Sequence, residues 1–142
     1  MTDHSERGFS LVELAITILV LGLLFSFSIP AFHSLSASYQ LRGAAENVAG
    51  QLRLAREKAI ATGAEQPIHI VNSTTYHVHY YPSGPITTAW TLPRGITFTA
   101  TGAWPRMEPD GRCINPALIV LQNVRGDRDT VSIQLSGLVL TN

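Results

Sequence analysis

The most informative ionisable residue of the chain is Glu13, the one charged side chain in an apolar run over residues 9–32. A carboxylate placed in hydrocarbon costs at least about 2.5 kcal/mol, so it is retained where a cation meets it or where it lies near a helix end. Arg7 and Gly8 directly precede the run, and Glu13 lies four residues after Phe9. Glu13 therefore lies near the start of the apolar run, close to the Gly8–Phe9 junction.

Two histidines, His77 and His79, are the best candidates for metal binding. Residues two apart in a strand face the same side, so both imidazoles could reach one ion. His69 would join them only if the turn between the strands gives that register. No acidic residue or cysteine nearby in the sequence completes a site. We therefore interpret these histidines as part of an exposed polar sheet face, and we expect no metal and no cofactor.

Arginines in the second half of the chain are the candidate for nucleic-acid binding, because phosphate recognition depends on local positive charge. Five arginines follow Gly63, and five carboxylates balance them. The arginines are Arg94, Arg106, Arg112, Arg125 and Arg128, and the carboxylates are Glu65, Glu108, Asp110, Asp127 and Asp129. The balance disfavours nucleic acid as a partner and predicts weak DNA binding with little sequence preference.

The composition fits one membrane-anchoring helix and one small globular domain within 142 residues. Ten basic and ten acidic residues give a formal net charge of zero, so no broad basic field is present. Cys113 is the only cysteine and cannot form an internal disulfide, and we interpret it as a small buried hydrophobe. No nucleophile elbow, phosphate loop or metalloprotease pattern occurs, so an enzyme is not expected.

A long N-terminal helix is predicted to continue past the apolar run, because no proline occurs over residues 39–61. Apolar residues recur there at alternating spacings of four and three, which places them on one helix face. They are Leu41, Ala45, Val48, Leu52, Ala55 and Ala59. The alanines predict close packing against the chain's own sheet. The helix is predicted to end at Thr62-Gly63, and Pro30 is predicted to kink its apolar half.

Beyond Gly63 the pattern changes to short strands, predicted at 66–71, 75–81, 87–92, 96–101, 117–123, 130–135 and 138–141. The first two flank Asn72-Ser73-Thr74 and predict a hairpin. Residues 104–116 contain three prolines and are predicted as a loop. Asp127-Arg128-Asp129 is predicted as a turn rather than a calcium site, since an arginine separates the carboxylates. A long N-terminal helix packed on an antiparallel β-sheet domain gives an α+β fold.

The Arg7-Gly8-Phe9 junction, Glu13 and Pro30 together resemble the N-terminal signature of type IV pilin precursors and of the pseudopilins of type II secretion. The resemblance implies that a prepilin peptidase and N-methyltransferase cuts after Gly8 and methylates Phe9. It implies that Glu13 is an assembly carboxylate, which pairs with the N-terminal ammonium of a neighbouring Phe9 in a helical bundle. The leader is short and mixed in charge, unlike the basic leader typical of the class.

Two later segments, 52–59 and 131–137, resemble the H-type minor pseudopilins and the related FimT-type minor pilins. The resemblance implies a leader peptide at 1–8, a transmembrane helix half at 9–32, a periplasmic helix half at 33–63 and an antiparallel β domain at 64–142. It implies a single-pass protein of the bacterial inner membrane whose partners are other pseudopilins or pilins in a helical filament. The function that it implies is a minor pseudopilin of type II secretion, at or near the pseudopilus tip.

Three alternatives stay open from the residues alone. One is a FimT-type minor pilin of a type IV pilus, a class in which some members bind DNA during natural transformation. Another is a cleaved secretory signal with Leu35-Ser36-Ala37 as its site, although the apolar run is longer than a signal core and contains Glu13. The third is an ordinary signal anchor, since residues 9–32 can cross roughly 30 Å of hydrocarbon. This alternative does not explain the spacing of Gly8, Phe9 and Glu13.

Overall fold

The computed structural model describes residues 9–78, 88–100 and 104–142, and within them the side chains at 27–34, 88 and 100 are outside the description. The chain forms two compact units, Met1–Ser36 and Ala37–Asn142. The predicted leader at 1–8, including Gly8, lies outside the described residues, as does His79.

Helix α1 runs from Leu11 to Thr62 and has 52 residues. Pro30 lies within it, but its side chain is outside the described set, so the kink stays a prediction. Among the described residues, no helix combines the length and the apolar character needed to cross a membrane. The transmembrane half at 9–32 stays a prediction, and part of it has side chains outside the description.

The apolar stripe predicted on the second half of α1 is confirmed. All six of its residues are at most 4% exposed, namely Leu41, Ala45, Val48, Leu52, Ala55 and Ala59. Ala44 and Ala49 are buried beside them. The predicted end is also confirmed: α1 stops at Thr62, and Gly63 has a φ of 65°, the left-handed cap that a glycine adopts without a Cβ penalty.

Nine antiparallel strands follow α1 in the described residues and form two sheets. They are β1 (Gln66–Ile70), β2 (Thr75–Val78), β3 (Thr88–Thr91), β4 (Ile96–Ala100), β5 (Arg106–Met107), β6 (Cys113–Ile114), β7 (Leu118–Asn123), β8 (Arg128–Ile133) and β9 (Val139–Thr141). One sheet has the order β3-β2-β1-β5-β6, and the other has β4-β7-β8-β9. The α+β prediction is confirmed, and the antiparallel strands divide into two sheets because β4 pairs with β7.

Three local predictions can be compared with the strands. The hairpin of β1 and β2 is confirmed, with Ile70 opposite Tyr76. The predicted loop at 104–116 is only partly correct, because it contains the short strands β5 and β6. The turn predicted at Asp127-Arg128-Asp129 is placed too late: Arg128 and Asp129 already belong to β8, and the reversal is held by the buried Asn123.

A single hydrophobic cluster joins α1 to residues of both sheets. Leu52 of the helix, Met107 of the first sheet and Leu121 of the second are each at most 1% exposed. Burying one such side chain stabilises the fold by about 1.5–3 kcal/mol. The alanines of the helix stripe have short side chains, which lets the backbone of α1 approach the sheets closely. The core therefore fixes which residues of α1 and of the strands face outward.

Candidate assembly surface and polar sites

The start of α1 places Phe9 and Glu13 at the same end of the helix. The Ser10 hydroxyl accepts a hydrogen bond from the backbone N–H of Val12 at 3.3 Å, and the Ser10 carbonyl accepts one from Leu14 at 3.1 Å. This is the capping role for which serine is favoured. Glu13 is exposed in the first turn, where the positive end of the helix dipole favours a carboxylate. The geometry leaves Glu13 accessible to a cation from outside its own chain.

Large apolar side chains cover the first part of α1 on all sides. Twelve of them between residues 9 and 25 are 46–84% exposed. They are Phe9, Leu11, Val12, Leu14, Ile16, Ile18, Leu19, Val20, Leu21, Leu23, Leu24 and Phe25. A helix that is apolar all round is normally covered by a core or by a membrane. This segment therefore requires apolar surroundings, either neighbouring helices or lipid.

Two of the three histidines considered for metal binding face each other. His69 on β1 lies directly opposite His77 on β2, with ring centroids 5.5 Å apart. The ring of Trp104 packs edge-on against His69, with a centroid distance of 3.8 Å. His77 is only 9% exposed, so its interpretation as part of an exposed polar face is wrong. The described residues contain no group of three or more histidine, cysteine or acidic side chains placed to hold a metal.

Two of the arginines considered for DNA binding lie close to carboxylates. Arg106 Nε lies 3.5 Å from a Glu65 carboxylate oxygen, and Arg125 Nε lies 3.8 Å from one of Asp127. Such partly exposed ion pairs contribute about 0–1 kcal/mol to stability. Their larger effect is to lower the local positive charge that a phosphate backbone would meet.

The sequence analysis did not identify a role for Arg56, which joins three elements. Its Nε donates a hydrogen bond of 2.8 Å to the carbonyl of Gly111, in the loop between β5 and β6. Gly137, in the turn between β8 and β9, has a φ of 76°. A Cβ there would lie 2.1 Å from the Gly111 oxygen and 2.7 Å from Arg56 Nε. In the sequence, the glycine at position 137 is the one signal of this close approach.

Helix α1 also contacts the edge strand β9 through polar side chains. Arg53 Nη2 donates to the carbonyl of Val139 at 3.2 Å, and the Thr141 hydroxyl donates to Glu46 at 2.8 Å. Arg53 and Glu46 are themselves 4.0 Å apart. These contacts occupy backbone and side-chain groups at a strand edge, which reduces its capacity to pair with other strands.

Cys113 has the surroundings expected of a structural residue. It is 2% exposed, which confirms its prediction as a buried hydrophobe. Burial raises the pKa of its thiol, which disfavours the nucleophilic thiolate. The thiol donates weakly to the backbone carbonyl of Ile114 at 3.4 Å. Cys113 therefore does not offer a reactive centre.

The N-terminal segment is similar to known proteins. Residues 3–29 match the prokaryotic N-terminal methylation motif. Two fimbrial proteins of Pseudomonas aeruginosa are each 35% identical to the chain over 71 residues, which is 50% of this chain and 43% of theirs. The chain thus spans less than half the length of these curated relatives. The motif match confirms that the N-terminal segment is of the prepilin type.

Solved structures share the fold over about three quarters of the chain. The minor pseudopilin EpsH from the type 2 secretion system of Vibrio cholerae has a TM-score of 0.58 and 15% identity, over 72% of this chain and 96% of that one. The type IV minor pilin FimU of Pseudomonas aeruginosa has a TM-score of 0.62 and 15% identity, over 76% and 92%. At this identity they show the fold alone, which confirms the predicted resemblance to pilin-like proteins.

Proposed function

We propose that the chain is a minor subunit of a type IV pilin-like filament. The observation that carries this is the occurrence, in one chain, of the methylation motif at 3–29 and a fold shared with a minor pseudopilin and a minor pilin. A prepilin peptidase cleaves after Gly8, and Phe9 becomes the N-methylated first residue. The protein is structural and needs no cofactor.

The exposed N-terminal helix is the assembly element in this proposal. Its apolar side chains cover every side, so packing among neighbouring helices or in the inner membrane removes them from water. Glu13 lies one turn from the N-terminus created at Phe9 and is exposed. It pairs with the ammonium of an adjacent subunit, because an unpaired charge in an apolar bundle is costly. The β domain then lies in the periplasm.

The finer proposal is a minor pseudopilin of a type II secretion system, placed at or near the tip of the pseudopilus. The likeness to EpsH supports it, since the shared fold covers 96% of that chain. A few-copy tip subunit starts or caps a helical filament of other pseudopilins, and growth of that filament exports folded proteins.

A second candidate is a minor pilin of a type IV pilus. The TM-score of 0.62 to FimU and the two fimbrial relatives favour it. DNA binding would be an added property of this candidate. The ion pairs of Arg106 and Arg125 do not favour it, since each arginine has a carboxylate within 4 Å.

Deleting the gene in the bacterium that carries it separates the two candidates. For a pseudopilin, we expect the secreted proteins to accumulate in the periplasm while surface pili remain visible by electron microscopy. For a minor pilin, we expect loss of surface pili with normal secretion. Unchanged secretion and unchanged pili, with the wild-type protein present in the parent strain, would refute the filament role.

A gel-shift titration at physiological salt tests the DNA alternative. We expect affinities weaker than micromolar for duplex DNA of any sequence, because the arginines of the domain are balanced by acids. Arg94→Ala serves as a control beside Arg106→Ala and Arg125→Ala. Sub-micromolar affinity that is lost in the last two variants and retained in the first would establish a DNA-binding minor pilin instead.

A further inference from the structure

We propose that His69 and His77 form a binding site for a divalent transition-metal cation of the Zn²⁺ or Cu²⁺ class. The site lies on the face of the β3-β2-β1 sheet opposite the hydrophobic cluster. Ile68, Tyr76 and Val78 belong to that cluster, and successive residues of a strand alternate between faces. The two imidazoles therefore share the outer face. This inference needs only the unit Ala37–Asn142 and does not depend on the proposed filament role.

The register of the hairpin supplies the first argument. His69 and His77 are direct partners across β1 and β2, and a slip of one residue would turn either imidazole toward the core. Their ring centroids are 5.5 Å apart. Metal–nitrogen bonds of about 2.0–2.1 Å put two imidazole centroids on one tetrahedral ion about 5 Å apart. The strand pairing thus already sets nearly the spacing that a shared ion requires.

Both ring planes must turn before the two imidazoles can bind one ion. They are inclined by 12° in a stacked arrangement, and a rotation of each ring about χ2 directs one of its nitrogens to a common point. That torsion has broad wells in histidine, so the torsion itself permits the rotation. On the other side of His77 the strand partner is Ala89, whose side chain is small.

The pair lies in a partly enclosed site. Trp104 packs edge-on against His69 at a centroid distance of 3.8 Å, and His77 is 9% exposed. Neutral imidazole suits Zn²⁺ and Cu²⁺, with Cu²⁺ the tighter of the two. Water completes the coordination, since the described ranges place no third histidine, cysteine or acid in such a group.

The test is a CuCl₂ titration of the full chain in mild detergent, followed by tryptophan fluorescence. The chain has two tryptophans, so a Trp90→Phe background makes Trp104 the only reporter, in contact with His69. We expect saturable quenching at one Cu²⁺ per chain, with ZnCl₂ as a competitor. His69→Ala and His77→Ala should each raise the Kd at least ten-fold, whereas His33→Ala should leave it unchanged.

Circular dichroism melts check that each variant is folded, and His77→Gln replaces His77→Ala if the smaller side chain disturbs the sheet. Equal affinity in the parent and in both histidine variants would overturn the proposal and show adventitious binding. Loss of affinity in His79→Ala with none in His69→Ala would overturn it too, because the ligands would then lie along one strand rather than across two.

Discussion

Replacing Gly137 by alanine should destabilise the domain strongly, because two penalties coincide. Gly137 has a φ of 76°, and the left-handed region costs an L residue about 1–2 kcal/mol. The new Cβ would lie 2.1 Å from the Gly111 oxygen, so one backbone segment must move. That movement breaks the 2.8 Å hydrogen bond from Arg56 to Gly111, a charged hydrogen bond of about 1.5–3 kcal/mol. We expect a total loss of about 3–5 kcal/mol in the free energy of unfolding.

Urea unfolding of the full chain in mild detergent, followed by tryptophan fluorescence, measures this loss. Gly63→Ala is the matched control, since Gly63 has a similar φ of 65° but a Cβ there meets nothing within 4 Å. Its substitution should cost about 1–2 kcal/mol, from backbone strain alone. If Gly137→Ala costs no more than Gly63→Ala, the contact between Arg56, Gly111 and Gly137 does not stabilise the domain and our reasoning about it is wrong.

Three further outcomes are expected. Gly8→Val should block processing by prepilin peptidase, and intact mass should show a start at Phe9 only in the parent; a cut near Ala37 in the parent would indicate a secretory signal instead. Glu13→Leu should leave cleavage and membrane fractionation unchanged but reduce crosslinking to partner subunits; unchanged crosslinking would exclude Glu13 as the assembly contact. Burial raises the pKa of Tyr76 to about 12, so stability is fully present below about pH 10 and falls by about 1–2 kcal/mol as the pH rises toward 12. Tyr76→Phe should lack this component in urea titrations at pH 9 and 11.5.

Local patterns of the sequence determined the helix and the nearest strand pairing. The spacing of four and three along α1 predicted which residues would be buried, because the geometry of a helix converts sequence spacing directly into a face. Gly63 marked the end of α1 because only its own backbone conformation was involved. Asn72 accepts hydrogen bonds from the backbone N–H groups of Thr74 and Thr75, so the turn of the first hairpin was also encoded locally.

Only the tertiary structure decided how distant segments meet. The separation into two sheets depends on β4 pairing with β7, twenty or more residues away, and alternation within β4 carries no information about its partner. The strands β5 and β6 have two residues each, too few to show any period. The position of Arg56 against Gly111 and Gly137 likewise arises from three segments far apart in sequence.

Local sequence pattern and tertiary structure both contribute to the arrangement of His69 and His77. Alternation along the strand indicated that His77 turns away from the core side chains of its neighbours, Tyr76 and Val78. Whether His69 would face it depended on the register across the turn. The contact of His69 with Trp104 joins residues 35 positions apart in the sequence. A residue's face follows from backbone geometry, but its burial and its neighbours follow from long-range packing, which no single segment specifies.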